Sequence, residues 1–318
     1  MTIHVIVNPA SRNGGTLRRW HKLAPKIEAT LGRFKTEFTE RPGHATELAR
    51  QALKAGAGRI IVVGGDGTLH EVVNGFFEHG APINPHAVLG LLPIGTGADF
   101  ARSLGLPKHP EAQIGVLHQA RTRRIDVGLV RCRDEDGEPY QRYFANLSSF
   151  GLSARVAGAV NSAKLPKRLG GPFAYALPAL QALVSHHNSR LRLTFDGGRM
   201  QELTSAFVVA ANGRYCGGGL KLAPESELAD GQLDVIVVGD IGVLDGVAYI
   251  GRVYKGTHLR HPKIDQYRTT RLVAEALDPA IPVAIEADGE AFGALPAEIE
   301  ILPRALKVIV AEMDGETE

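Results

Sequence analysis

The chain has 318 residues, enough for about two domains of ordinary size, and 44% of them are hydrophobic, as in a protein that buries a core. A formal net charge of +2 is too small to make nucleic acid the main partner. Two distant cysteines, Cys132 and Cys216, exclude a disulfide scaffold or a zinc module and suit a reducing, cytoplasmic setting.

Residues Ile3 to Val7 read as a strand that breaks at Asn8-Pro9, with no charged-then-apolar leader before it. Leu17, Trp20, Leu23, Ala24, Ile27 and Leu31 then follow helical spacing, with Pro25 as a kink point. A short strand from Phe34 to Thr39 precedes a helix marked by Ala45, Leu48, Ala49, Ala52 and Leu53 and ended by Gly56. Next come the apolar run Ile60 to Val63, the turn Gly64-Gly65-Asp66-Gly67-Thr68 and an amphipathic segment carrying Leu69, Val72, Val73, Phe76 and Phe77. Thr68 and Glu71 have the spacing of a capping box, which predicts a helix starting at Thr68. A further strand, Ala87 to Leu92, runs into Pro93-Ile94-Gly95-Thr96-Gly97, with a helix from about Ala98.

Strands alternating with helices predict a doubly wound parallel sheet, which binds ligands at the carboxyl ends of its strands. Asn8, Thr39, Gly65 to Thr68 and Gly95 to Asp99 all fall at such ends. A strand, a glycine-rich turn and a helix N-terminus form an anion site, because unpaired backbone N–H groups and the helix dipole point the same way. Asp66 is the odd member. A carboxylate about 4 Å from a phosphate charge costs roughly 4 kcal/mol at an effective dielectric near 20. A divalent cation between them, or backbone N–H groups holding Asp66, would relieve that repulsion.

After Asp126 the texture changes to strand-like runs: Val127 to Cys132, Tyr143 to Phe150, Leu191 to Phe195, Thr204 to Ala211, Leu233 to Val238, Arg271 to Ala276 and Val283 to Glu286. Turn pairs such as Asp196-Gly197 and Asp288-Gly289 punctuate them, which predicts a mainly antiparallel β-sandwich. The expected division is an α/β domain over residues 1–127, a β-rich domain over 128–304, and a C-terminus (305–318) that packs back on the first. The main helical interruption is Ala163 to His187, whose apolar stretch Phe173 to Val184 is too short to span a membrane and contains Pro178. With Lys164, Lys167 and Arg168 at its basic end, it reads either as a wall against lipid headgroups or as a helix covering the sandwich core.

Gly64-Gly65-Asp66-Gly67-Thr68 taken with Pro93-Ile94-Gly95-Thr96-Gly97-Ala98-Asp99-Phe100-Ala101 resembles the diacylglycerol kinase catalytic-domain family, which includes bacterial lipid kinases and sphingosine kinases. Asn8-Pro9, Asp126-Val127-Gly128, the run from Pro224 through Asp230-Gly231-Gln232-Leu233-Asp234, and Asp288-Gly289-Glu290 match in the same order. The resemblance extends from Ile3 to about Val310 and implies an NAD kinase/phosphofructokinase-like first domain. It also implies ATP bound between the domains, with Asn8, Thr39, Gly64, Gly65, Asp66, Gly67, Thr68, Glu71, Gly95 and Thr96 at nucleotide-contacting positions. Asp288 would be the general base for a lipid hydroxyl, with Glu290 beside it. Asp66, Asp99 or Asp126 would orient the magnesium carried by ATP, and Glu227, Asp230 and Gln232 would form a structural Mg2+ loop in which some ligands are backbone carbonyls. Relatives often carry Asn where this chain has Ala98, a change that removes a polar group near the phosphates.

The absence of G-x-x-x-x-G-K-[ST] excludes a P-loop enzyme. Phosphoryl transfer asks mainly for positioning and charge neutralisation, which glycine turns and carboxylates supply. The residues themselves leave alternatives open: Asp288-Gly289 can be a plain hairpin turn, Asp126 can pin the domain junction, and Glu227 to Gln232 can be a solvated loop. The resulting expectation is an ATP- and Mg2+-dependent kinase acting on diacylglycerol or a related lipid. It would be cytoplasmic, with peripheral membrane contact and room for a homodimer. A soluble-substrate kinase of the NAD-kinase superfamily and a weakly active nucleotide- or lipid-binding relative are the competing readings.

Overall fold

The computed structural model describes residues 2–12, 14–95, 98–134, 136–162 and 188–311. The chain forms two compact units, residues 1–126 with 304–318, and residues 127–303. The expected helix Ala163 to His187 lies outside the described residues, as does Thr96.

In the first unit, β1 (Ile3–Val7), β2 (Lys35–Phe38), β3 (Arg59–Gly64) and β6 (Val88–Pro93) pair in parallel in the order β2-β1-β3-β6. A small hairpin of β4 (Phe77–Glu78) and β5 (Ala81–Pro82) lies between β3 and β6 in sequence. The helices are α1 (Gly15–Leu31), α2 (His44–Lys54), α3 (Asp66–Phe76), α4 (Asp99–Ser103) and α5 (Pro110–Gln119). Strand alternation sends Val5, Val7, Ile61 and Val63 into one cluster with Trp20, Leu23 and Ile27 of α1 and Ile114 and Leu117 of α5. Ile6, Ile60 and Val62 are equally buried and point to the opposite face, and α2 packs along α3. This is the doubly wound arrangement the alternation predicts. Helix α1 runs through Pro25 as one element.

The second unit begins within β7 (Thr122–Arg133) and contains β8 (Pro139–Phe144), β9 (Leu147–Gly151), α6 (Leu152–Ser162), β10 (Ser189–Phe195), β11 (Met200–Ala211) and β12 (Leu233–Gly239). After α7 (Val243–Lys255) come β13 (Ile264–Thr269), β14 (Arg271–Ala276), β15 (Ala284–Ala287) and β16 (Glu290–Ile309). The pairs β7-β8, β9-β11, β9-β15, β10-β11, β10-β14, β11-β12, β12-β13, β14-β16 and β15-β16 are antiparallel. Its main core joins Phe144, Phe150, Leu193, Val208, Val235, Leu272, Ile285 and Ile299, all essentially inaccessible to solvent. β16 returns the chain to the first unit after Pro303, where Lys307 and Val308 pair in parallel with Val88 and Leu89.

Several expectations need correction. Helix α3 begins at Asp66, two residues before Thr68, and Glu71 does not close a capping box on it; Gly65 is the N-cap, with no side-chain cap bond. The run Tyr143 to Phe150 is two strands, because the backbone N–H groups of Ala145 and Asn146 turn to the Asp288 carboxylate instead of a strand ladder. Helices α5 and α7 and strands β13 and β16 were not anticipated. β16 carries Gly293, Pro296 and Pro303, residues that normally end a strand.

Candidate active site

The turn after β3 is built by close backbone approach. A Cβ at Gly64 would meet Thr68 Oγ1 at 2.7 Å, and one at Gly95 would meet Gly65 Cα at 2.7 Å. The Gly64 carbonyl accepts the N–H groups of Ile94 and Gly95 at 2.9 and 3.2 Å, which locks the two glycine turns together. Asn8, at the end of β1, donates Nδ2–H to Thr68 Oγ1 at 2.9 Å. Its Oδ1 accepts the N–H groups of Ala10 and Ser11. Thr39, nearly buried at the end of β2, donates its N–H to the Val7 carbonyl at 2.9 Å. Asn8, Thr68, Gly64, Gly65, Gly67 and Gly95 therefore belong to one set of carboxyl-end turns around the N-terminus of α3. That eleven-residue helix has no side-chain cap, so its end is suited to an anion.

The acids in this unit have protein partners. Asp66 Oδ2 accepts the Asp99 N–H at 3.3 Å and Oδ1 the Phe100 N–H at 3.4 Å, the second of the two reliefs the sequence allowed. Asp99 is buried and takes Arg102 Nη1 at 2.5 Å. Asp126 is fully buried and accepts the Arg304 N–H at 2.6 Å, joining the residue where the chain leaves the first unit to the one where it re-enters. Glu71 Oε1 accepts the Gly43 N–H at 2.9 Å and Oε2 the Ala45 N–H at 3.0 Å, so it satisfies orphan donors at the start of α2. Ala98, the N-cap of α4, sits at φ 52°, a left-handed conformation that Asn tolerates better than Ala.

In the second unit, Asp288 and Gly289 occupy the two central positions of the hairpin between β15 and β16, at φ 50° and 89°, and Ala287 pairs with Glu290. Positive φ at both positions marks the two-residue turn that Asp-Gly favours. The hairpin turn is thus present, and the Asp288 carboxylate also gathers three backbone N–H groups. Oδ2 takes Ala145 at 3.0 Å, and Oδ1 takes Asn146 at 3.0 Å and Leu147 at 3.1 Å. Asn146 in turn donates Nδ2–H to the Tyr215 carbonyl, and Asn212 donates to the Ala145 carbonyl at 2.8 Å. Glu290 is exposed.

Glu286 was missed by the sequence reading. It is 3% exposed, and burial pushes its carboxyl up to about 8, against the hydrogen bonds from Ser149 and Gly289 that favour the charged form. Asp288 and Glu290 add like-charge repulsion. The available signal was an acid inside the apolar strand Val283-Ala284-Ile285-Glu286-Ala287, immediately before Asp-Gly.

In the expected metal loop, where some ligands would be backbone carbonyls, Asp230 and Gln232 are hydrogen-bonded within the loop. Asp230 accepts the Gln232 N–H at 3.0 Å and pairs with the Arg268 guanidinium, which supplies positive charge directly. Glu227 is exposed. Among the described residues no three His, Cys, Asp or Glu side chains gather as a metal ion would require. Asp234 beside this pair is 1% exposed, and burial raises its carboxyl above the usual range.

Residues 2–130 match the diacylglycerol kinase catalytic domain, and residues 146–310 match the YegS C-terminal NAD kinase beta sandwich-like domain. The chain is 30% identical to a diacylglycerol kinase of Staphylococcus carnosus over 304 residues, covering 96% of this chain and 93% of the relative. It is 31% identical to one of Staphylococcus haemolyticus, covering 96% and 86%. A solved diacylglycerol kinase structure from Bacillus anthracis str. Sterne superposes with TM-score 0.71 at 22% identity, over 98% of this chain and 97% of that one. An Archaeoglobus fulgidus NAD kinase in complex with ATP gives 0.51 at 13% identity, over 97% and 93%, a likeness of fold. With the catalytic-domain match on the glycine turns and the β-sandwich match on the unit that carries Asp288, the chain belongs to the diacylglycerol kinase family of lipid kinases.

Proposed function

We propose that the protein transfers the γ-phosphoryl group of ATP to a hydroxyl of diacylglycerol or a closely related lipid, with Asp288 accepting the hydroxyl proton. The observation that carries this reading is the Asp288 carboxylate of the β15–β16 hairpin, held by the backbone N–H groups of Ala145, Asn146 and Leu147. A base of this kind must be held within reach of its proton, and a loose phosphoryl-transfer transition state lets the alcohol lose that proton late.

Magnesium-bound ATP would supply the phosphoryl group and neutralise its developing charge. The uncapped N-terminus of α3, with Gly65, Asp66, Gly67 and Thr68, fits phosphate oxygens, and Asn8 orients Thr68. Asp66 and Asp99, held by their own partners, shape the second glycine turn rather than depend on a cation for relief. Asp126 holds Arg304, and Glu71 holds the start of α2. The loop with Glu227, Asp230 and Gln232 would hold a structural Mg2+ partly through backbone carbonyls, and Asp230 also pairs with Arg268.

No helix among the described residues is long and apolar enough to cross a membrane. The same reading has the protein meet its lipid peripherally, at the cytoplasmic face. Vesicle co-sedimentation tests that contact, and light scattering tests the homodimer. The deciding experiment measures phosphate incorporation from labelled ATP into a lipid panel and into NAD, for the wild type and Asp288→Asn. Labelled lipid with the wild type, lost in Asp288→Asn by about 100-fold or more, supports the proposal. Labelled NAD with unlabelled lipid refutes it.

A further inference from the structure

Glu286 and Ser149 are paired residues on the antiparallel strands β15 and β9, 3% and 1% exposed. The Ser149 hydroxyl meets Glu286 Oε1, and Glu286 Oε2 accepts the Gly289 N–H at 2.6 Å. The neighbouring Ser148 hydroxyl donates to the Glu286 carbonyl at 2.6 Å. The Gly289 N–H of the two-residue hairpin thus has an acceptor in the Glu286 carboxyl. Both ends of the Asp288-Gly289 turn are therefore tied to one strand region, Asp288 by its side chain to residues 145–147 and Gly289 through Glu286 to Ser149.

We propose that Glu286 is a positioning residue for lipid phosphorylation: its carboxyl, shared between Ser149 Oγ and Gly289 N–H, fixes the turn that presents Asp288. This rests on the reading in which Asp288 accepts the substrate proton.

A carboxyl at this place is expensive to ionise. In its neutral form the carboxyl keeps both contacts, with Ser149 Oγ at Oε1 and the Gly289 N–H at Oε2. Its pKa of about 8 keeps that form dominant at neutral pH. Once ionised, it adds a negative charge next to Asp288 and Glu290, the acids that already repel it. The strand facing it, β9, offers the hydroxyls of Ser148 and Ser149. Helix α6, packed on β15, has Arg155 as its titratable residue, and β8 has Tyr140, Arg142 and Tyr143.

The test compares kcat and the KM for ATP from about pH 6 to about pH 9 in the wild type, Glu286→Gln, Glu286→Ala, Ser149→Ala and Asp288→Asn. Gln keeps the shape of the neutral carboxyl and a carbonyl for the Gly289 N–H, and it has no titrating proton. The expected result is a wild-type kcat that falls above pH 8 and a Glu286→Gln enzyme within about threefold of wild type at neutral pH that lacks this fall. Glu286→Ala should lose about tenfold or more in kcat with little change in KM for ATP, and Ser149→Ala should lose less. A cooperatively melting Glu286→Ala with wild-type kcat overturns the proposal. If Glu286→Ala does not fold, the alkaline limb decides, and its persistence in Glu286→Gln overturns the proposal. The Asp288→Asn arm separates the two claims. Full turnover there overturns the assignment of the proton acceptor, whereas an inactive Asp288→Asn beside a fully active Glu286→Ala overturns only the positioning role.

Discussion

Asp66, in the first turn of α3, accepts the backbone N–H of Asp99 at 3.3 Å, so the acid of one glycine turn caps the short helix that follows the other. Its second oxygen takes Phe100 N–H at 3.4 Å. Removing the acceptor leaves two half-buried N–H groups without it and frees the second turn to shift. Asp66→Ala should cost about 1–2 kcal/mol in stability and raise the KM for ATP. Asp66→Asn keeps one oxygen and should cost less. Denaturant unfolding together with ATP kinetics checks both, and an Asp66→Ala protein with wild-type stability would refute the capping role.

Ala98 holds a left-handed conformation at φ 52°. The structure adds a backbone reason to the one legible in the sequence: Asn or Gly adopts this conformation with less strain. Ala98→Gly should stabilise the first unit by about 0.5–1 kcal/mol, with Ala98→Asn of the same sign. Thermal melting measures it. A destabilised Ala98→Gly would show that the methyl group makes contacts worth more than the strain.

Glu71 ties two helices. Its carboxylate takes the N–H groups of Gly43 and Ala45, and its carbonyl takes the Thr46 hydroxyl at 2.7 Å. Gly43, the N-cap of α2, offers no side chain for this purpose. Glu71→Ala should therefore destabilise the protein by about 1–2 kcal/mol, the usual cost of a lost cap. Turnover measured well below the melting transition should change far less than in Asp288→Asn. An equally severe loss of turnover would return Glu71 to the nucleotide-contacting role that its place in the motif suggested.

The difference between these outcomes traces to what a linear pattern can hold. The parallel sheet was legible because Val5, Val7, Ile61 and Val63 are apolar runs followed by turn residues, and the turns themselves specify where backbones converge. Gly64 and Gly95 were visible as motif glycines, but their contact partners, Thr68 and the Gly65 backbone, come from packing. Carboxylate partners were not legible at all. Asp126 meets Arg304 across 178 positions of sequence, and Asp288 meets Ala145 to Leu147 across 141 to 143. β16 escaped notice because Gly293, Pro296 and Pro303 outweigh local β propensity, whereas pairing with β14 and β15 decides its structure. Glu286 reads as an ordinary charged residue until burial is known.

Asp126 makes a clasp whose strength can be measured. Its buried carboxylate accepts the N–H of Arg304, a residue at φ 50°. Asp126→Ala removes the acceptor and leaves a small void, and should destabilise by about 2–4 kcal/mol. Arg304→Gly relieves the left-handed strain and keeps the N–H donor, so it should be neutral or stabilising. Denaturant unfolding of both variants checks the pair. A destabilisation by Arg304→Gly equal to that of Asp126→Ala would mean that the Arg304 side chain, not its N–H, carries the interaction.

Glu286 also sets a pH dependence of stability. Burial is the largest cause of its shift and raises the folded-state pKa from an ordinary 4.5 to about 8. For a group raised in this way, the unfolded chain loses its proton first as pH increases. Its stability contribution is therefore fully present below pH 4.5 and is lost as pH rises through 8. Glu286→Gln has no proton to lose. Relative to wild type, the variant should gain stability steadily across this window, reaching an advantage on the order of a few kcal/mol at its alkaline end. The melting-temperature difference between the two proteins, measured at acid, neutral and alkaline pH, reads this directly. A constant difference across the window would show that Glu286 ionises at the same pH in the folded and unfolded chain, and that the hydrogen bonds from Ser149 and Gly289 offset its desolvation in full.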